Sequence, residues 1–189
     1  DNSSGNQKLS NDRAQSVFCP GSRGPSVGRL VAPLRRQRSH PANLLPVTIE
    51  RVGVAGFGAM GSGIAQVCAQ AGFAVTVREI DQAAIERGWK SVDGSLARIV
   101  KAGRLTDDGA KTTRGRIRAT TAVADLGASD LVIEAVLEVA EVKRRLFEEL
   151  DRICPASTIF VSNTSSLPIV DMAAVTKRAD RFAGLHFFN

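Results

Sequence analysis

Cysteine is scarce in this chain of 189 residues, and its three copies, Cys19, Cys68 and Cys154, stand far apart with no CxxC pair. An odd count at that spacing argues against a disulfide framework and against a zinc site. Cys68 falls inside a helical pattern, where a thiol packs as a small apolar residue, and a reducing compartment fits. Long apolar runs are missing too: none reaches the ~20 residues of a membrane span, and no secretory apolar segment opens the chain. No membrane partner and no metal are expected. Acidic residues are few at the start. Through Pro46 only Asp1 and Asp12 oppose seven Lys and Arg, so five of the six net positive charges lie there. The basic balance belongs to this tail and is no sign of a nucleic-acid-binding domain.

Residues 1–46 are rich in Ser, Gly, Pro, Asn and Arg, with little apolar periodicity. Such a stretch buries too little surface to offset its ordering entropy, and a disordered basic leader is expected. Its Arg- and Ser-rich, acid-poor composition is also that of organelle targeting, but its prolines and glycines oppose the amphipathic helix of a mitochondrial presequence. A cytoplasmic location is the expectation, with the mitochondrial matrix as the alternative. The chain opens without Met and stops at "GLHFFN", so a piece of a longer protein is expected.

From Val47 to Asn189 the texture is that of one domain. Strand patterns ("VTIERVGVAG", "FAVTVREI", "DLVIEAV", "STIFVSN", "RFAGLHFF") alternate with helical ones. "MGSGIAQVCAQAG" puts Ile64, Val67, Cys68 and Ala71 on one helical face. "DQAAIERGWKSVDGSLARIVKAG" is opened by Asp81 as N-cap. "EVAEVKRRLFEELDRI" sets Val139, Val142, Leu146, Leu150 and Ile153 on one side, and "LPIVDMAAV" is short. "RLTDDGAKTTRGRIRATT" reads as a polar connection with a short strand in "RIRATT". No internal repeat is present. Strands alternating with helices predict an α/β fold, a Rossmann-type doubly wound, mostly parallel sheet.

Within "VGVAGFGAMGSGIAQ" the glycines Gly56, Gly58 and Gly61 form GxGxxG between a strand and a helix, and an acid, Glu79, follows 23 positions after the first glycine at the end of the next strand. This context predicts a dinucleotide site spanning Gly56, Phe57, Gly58, Ala59, Met60 and Gly61. Gly56 permits a tight turn, Gly58 lets a pyrophosphate approach the backbone, and Gly61 allows close helix packing. The helix N-terminus then offers N–H groups to phosphate. Glu79 suits ribose hydroxyls and repels a 2′-phosphate, which favours NAD. Arg78 beside it is the feature that NADP would use. A glycine-rich turn of some other parallel α/β domain is the alternative without a ligand.

Three further strand ends are polar. Glu138, Ser162, Asn163, Thr164, Ser165, His186 and Asn189 are expected to converge where open parallel sheets bind ligands. Taken with the glycine loop, "GxMGxGIAQ", "DLVIEAVxE…VK", "SNTSSL" and "GLHFFN" resemble the NAD-binding domain of the 3-hydroxyacyl-CoA dehydrogenases. That family includes 3-hydroxybutyryl-CoA dehydrogenase and the dehydrogenase part of multifunctional fatty-acid oxidation proteins. The resemblance runs from about Val52 to Asn189.

The resemblance implies reversible hydride transfer between a 3-hydroxyacyl-CoA and NAD, as in fatty-acid β-oxidation or butanoate-type metabolism. It implies that His186 is the catalytic base, suited by an imidazole pKa near neutrality, and that Ser165 bonds the substrate oxygen. Glu138, Lys143 and Asn189 match positions that contact NAD, and Ser95 and Lys101 lie where the family holds CoA, with Arg87, Lys90 and Arg98 nearby. Lys143 also suits a solvated helix face, and the Ser/Thr/Asn cluster suits a helix cap, with Ser166 the expected capping residue. In the family a glutamate beyond the HFFN motif orients the histidine, and an all-helical C-terminal domain closes the site and forms a homodimer. Neither lies within these residues, so weak or no turnover by this segment alone is expected. A dehydrogenase of free hydroxyacids and a non-catalytic NAD-binding relative are the alternatives.

Overall fold

The computed structural model describes residues 48–188; the expected leader at 1–46 and Asn189 lie outside the described residues. Six strands form one sheet: β1 (Arg51–Ala55), β2 (Ala74–Arg78), β3 (Ile117–Thr120), β4 (Leu131–Glu134), β5 (Ile159–Ser162) and β6 (Phe182–Gly184). Their order is β3-β2-β1-β4-β5-β6 and every pairing is parallel. The helices are α1 (Ala59–Gln70), α2 (Gln82–Lys101), α3 (Asp107–Gly115), α4 (Ala140–Ile153) and the single turn α5 (Ile169–Ala173). The expected doubly wound sheet is therefore present. Its order reverses between β1 and β4, and the crevice at their carboxyl ends is where such sheets take ligands.

Alternation along the strands feeds both faces. Val52, Val54, Val75, Val77 and Ile133 pack under α1 and α2 with Ile64, Ala65, Val92 and Leu96. Val132 and Phe160 turn the other way, onto Leu146, Phe147, Leu150 and Met172 of α4 and α5. Each such aliphatic or aromatic side chain contributes about 1.5–3 kcal/mol on burial. Asp81 does cap α2, its carboxylate accepting from Ala84 N–H at 2.6 Å.

The structure differs from the sequence reading in four places. α3 stands where a polar connection was expected. It is opened by Thr106, whose hydroxyl accepts from Gly109 N–H at 3.0 Å, and it buries only Thr113. In α1 the buried side is Gly61, Ile64, Ala65, Cys68 and Ala69, while Val67 and Ala71 face outward. In α4 the buried stripe is Lys143, Leu146, Phe147 and Leu150, and Val139 and Val142 are exposed. Finally, the last strand is three residues long, and Leu185 to Phe188 follow it as irregular chain.

Candidate active site

After Ala55 the chain must reverse into α1 within a few residues. Gly56 does so at φ 105°, a conformation that strains any residue with a Cβ, and its N–H donates to the Arg78 carbonyl at 2.8 Å. A Cβ on Gly56 would stand 2.4 Å from the Ala135 carbonyl oxygen, and one on Gly61 would stand 1.9 Å from the Gly56 carbonyl oxygen. Gly61 thus keeps α1 close to its own entry loop. Gly58 is different, because a Cβ there would meet nothing within 4 Å. Its face of the loop is open, which is the space a pyrophosphate needs. The first turn of α1 carries no acidic side chain and no side-chain cap, so its N–H groups and positive dipole end remain available for an anion.

Glu79 closes the other side of this loop. Its carboxylate accepts from Phe57 N–H at 2.8 Å and from Ile80 N–H at 2.7 Å. The Phe57 side chain points away from the loop into the core, 1% exposed, so only its backbone faces outward. Gly58, Ala59, Met60, Glu79, Ile80 and Leu137 line part of a cavity of about 630 Å³, and Arg78, Arg87 and Arg145 stand at it too. Ile80 and Leu137 are 69% and 74% exposed. Apolar side chains left open at the mouth of a cavity offer a surface for a flat apolar ring.

A second cavity, of about 380 Å³, adjoins the first and shares Met60, Ala135 and Val136 with it. Glu138, Asn163, Ser165 and His186 line it. Three separate chain segments meet there: the loop after β4, the loop after β5 and the irregular chain after β6. The expected convergence of Glu138, Asn163, Ser165 and His186 is therefore present in the geometry. Ser162 and Thr164, expected there too, do not line this cavity; their hydroxyls donate to Glu134 and Glu138. His186 is exposed and its ring lies 4.7 Å from that of Phe188, centroid to centroid. Among the described residues it has no hydrogen bond to a carboxylate.

Beneath the second cavity lies a charged cluster. Lys143, with no exposed surface, sets its Nζ 2.9 Å from Glu134 Oε2 and 2.7 Å from Glu138 Oε2. Glu134 is fully buried; it accepts from Val136 N–H at 2.8 Å and from the Ser162 hydroxyl. Glu138 accepts from the hydroxyls of Thr164 and, at 3.1 Å, Ser166. Burial alone would raise the Glu138 carboxyl, but the Lys143 ammonium and these hydroxyls outweigh it and hold it at about 2. Lys143 is thus neither a solvated helix residue nor a wall of either cavity. It fixes Glu138, and Glu138 in turn grips the residues on both sides of Ser165.

The expected cap at Ser166 is corrected: α5 starts after Pro168 with no side-chain cap. The Thr164 hydroxyl instead closes the loop ahead of it, accepting from Ser166 N–H at 3.3 Å and Leu167 N–H at 3.0 Å, while Ser166 turns to Glu138. Ser95 and Lys101 line neither cavity; Lys101 faces a groove between α2 and α3, and Ser95 does not join it there. Lys90 and Arg98 also stand away from both cavities, whereas Arg87 reaches the first. Glu134 was passed over in the sequence as a site residue, although a glutamate closing the apolar run "LVIE" was a visible signal.

A parallel sheet with a glycine-turned phosphate loop at its switch point defines a dinucleotide-binding α/β domain. Residues 51–189 match the family model described as "3-hydroxyacyl-CoA dehydrogenase, NAD binding domain", and the chain belongs to that family. It is 45% identical over 141 residues to a probable 3-hydroxybutyryl-CoA dehydrogenase of Bacillus subtilis, covering 75% of this chain and 49% of the relative. It is 41% identical to a 3-hydroxyadipyl-CoA dehydrogenase of Escherichia coli, covering 76% of this chain and 30% of the other. The crystal structure of (S)-3-hydroxybutyryl-CoA dehydrogenase PaaH1 from Ralstonia eutropha superposes with a TM-score of 0.73 at 44% identity, covering 75% of this chain and 50% of that one. The chain spans about half the length of the first curated relatives it matches. NAD is the cofactor of the family, and the open Gly58 face beside Glu79 fits it.

Proposed function

We propose that the chain is the cofactor-binding part of a dehydrogenase that interconverts a 3-hydroxyacyl-CoA and a 3-ketoacyl-CoA. The observation that carries this reading is the meeting of Ser165 and His186, from two different loops, at a cavity adjoining the phosphate loop. When bound, NAD supplies the acceptor for the hydride that leaves the 3-hydroxyl carbon. The exposed His186 imidazole takes the hydroxyl proton in the oxidative direction and returns it in the reductive one. The Ser165 hydroxyl donates to the same oxygen and steadies its developing charge. The balance is one hydride to the cofactor and one proton to the base. Gly58 and the first turn of α1 would hold the pyrophosphate, Glu79 would accept from ribose hydroxyls, and Ile80 and Leu137 would offer the adenine an apolar surface.

Turnover by these residues alone is low in this reading. Glu134 and Glu138 are both engaged with Lys143, so neither orients His186 as a carboxylate partner orients a catalytic imidazole. Asn189, at the nicotinamide end by resemblance, lies outside the described residues. The complete protein acts on acyl-CoA thioesters as a homodimer, takes neither nucleic acid nor membrane as partner, and works in a reducing compartment, the cytoplasm before the mitochondrial matrix. The buried thiols of Cys68 and Cys154 accord with that compartment.

Titration of the chain with NADH, followed by NADH oxidation in the presence of acetoacetyl-CoA or of free acetoacetate, tests the reading. Saturable NADH binding with thioester-dependent oxidation, however slow, supports it. Oxidation by the free acid in preference to the thioester would sink it in favour of a hydroxyacid dehydrogenase. NADH binding without any turnover by the complete protein would make it a non-catalytic relative.

A further inference from the structure

His186 has to be held in place by something other than a strand. β6 ends at Gly184, whose partner in register is Ser162 at the end of β5. The ladder makes one more main-chain bond, from Leu185 N–H to the Ser162 carbonyl at 3.1 Å. In a parallel ladder the next inward N–H is two residues on, at Phe187. By then β5 has turned away into the Ser165 loop. The acceptor that meets Phe187 N–H, at 2.8 Å, is instead the side-chain oxygen Oδ1 of Asn163. Asn163 is itself fixed, its own N–H donating to the Glu134 carbonyl at 2.9 Å, which ties it to β4. His186 therefore sits between two anchors, one made by main chain and one by an amide side chain. The same amide stands two residues before Ser165.

We propose that Asn163 is the positioning residue of the site: its Oδ1, by holding Phe187 N–H, sets the place of the His186 imidazole relative to Ser165. The inference rests on the dehydrogenase reading above and adds a residue to it. Asn suits the position because it presents a neutral acceptor with the reach of a backbone carbonyl. Misplacing a reacting group by about 1 Å costs on the order of a hundredfold in rate, so one lost bond here is expressed in turnover more than in binding.

The test uses the full chain and the variants Asn163→Ala and Asn163→Asp. Amide hydrogen exchange at Leu185 and Phe187, NADH affinity, and the rate and pH profile of acetoacetyl-CoA reduction are measured. In Asn163→Ala, exchange at Phe187 rises tenfold or more while Leu185, on its main-chain bond, stays within about twofold. NADH affinity stays within about threefold, and turnover falls at least tenfold. Asn163→Asp keeps an acceptor, so Phe187 stays protected and much of the rate returns. The added carboxylate beside the base shifts the His186 limb of the pH profile upward. Unchanged exchange at Phe187 in Asn163→Ala overturns the proposal, as does equal loss of protection in Ala and Asp. Absence of turnover in the complete protein overturns the dehydrogenase reading instead, and exchange at Phe187 still decides whether Asn163 holds the segment.

Discussion

Lys143 Nζ and Glu134 Oε2 face each other at 2.9 Å with neither side chain exposed. Two opposite charges taken out of water in this way are stable only together, because each leaves an uncompensated buried charge if its partner is removed.

Lys143→Met should therefore destabilise the domain by about 3–5 kcal/mol, the usual cost of orphaning a buried ion. Adding Glu134→Gln to the same protein should recover much of that loss. Chemical denaturation of the single and double variants measures it; a double variant as unstable as the single one would show that the pair is not energetically coupled.

Acid should loosen the Ser165 loop through Glu138. Its carboxyl ordinarily titrates at 4.5 and is held at about 2 in the fold. A depressed folded value means that the contribution is full above the ordinary value and is lost as pH falls from about 4.5 through about 2. Stability of the native chain should decline across that window, and Glu138→Gln should flatten the decline. Urea midpoints at successive pH values for both proteins check the difference.

The glycines of the loop should separate binding from folding. Gly58→Ala puts a methyl group into open space, so its melting temperature should move by only a few degrees. NADH affinity should nonetheless fall at least tenfold, because the methyl occupies the pyrophosphate's approach. Gly61→Ala should lose stability and affinity together, its Cβ standing 1.9 Å from the Gly56 oxygen. Paired thermal melts and NADH titrations distinguish the two.

Cofactor choice should rest on Glu79. Replacing it with Ser removes the carboxylate that repels a 2′-phosphate while Arg78 remains beside it. The ratio of NADH to NADPH affinity should drop at least tenfold in Glu79→Ser. Some overall affinity is lost as well, since Phe57 N–H and Ile80 N–H lose their acceptor.

The glycine motif, the Asp81 cap and the strand sequence were legible because each rests on local backbone chemistry. α3 was not, since a helix that buries one threonine leaves almost no apolar period to read; only Thr106 with Asp107 and Asp108 behind it marked its start. Val142 falls on one apolar side with Leu146 and Leu150 because a helix face that lines a ligand cavity has the same composition as one that lines a core. The solvated-face alternative for Lys143 and the cap expected at Ser166 failed for a different reason. Glu134, at the end of β4, meets Lys143, and Glu138, from the loop after β4, meets Ser166 of the loop after β5, and only the folded sheet brings those groups within reach.

Phe57 has a role that no ligand touches. Its ring fills the space above Gly88 of α2, where a Cβ would stand 2.2 Å from it, and meets Trp89 edge-on at 5.4 Å. Arg114 of α3 in turn covers the Trp89 ring at 3.2 Å. The phosphate loop is thus pegged from behind to two helices, and its shape is set before any dinucleotide arrives. Ordering of the loop is then a cost met during folding, which leaves the affinity for the cofactor free of it.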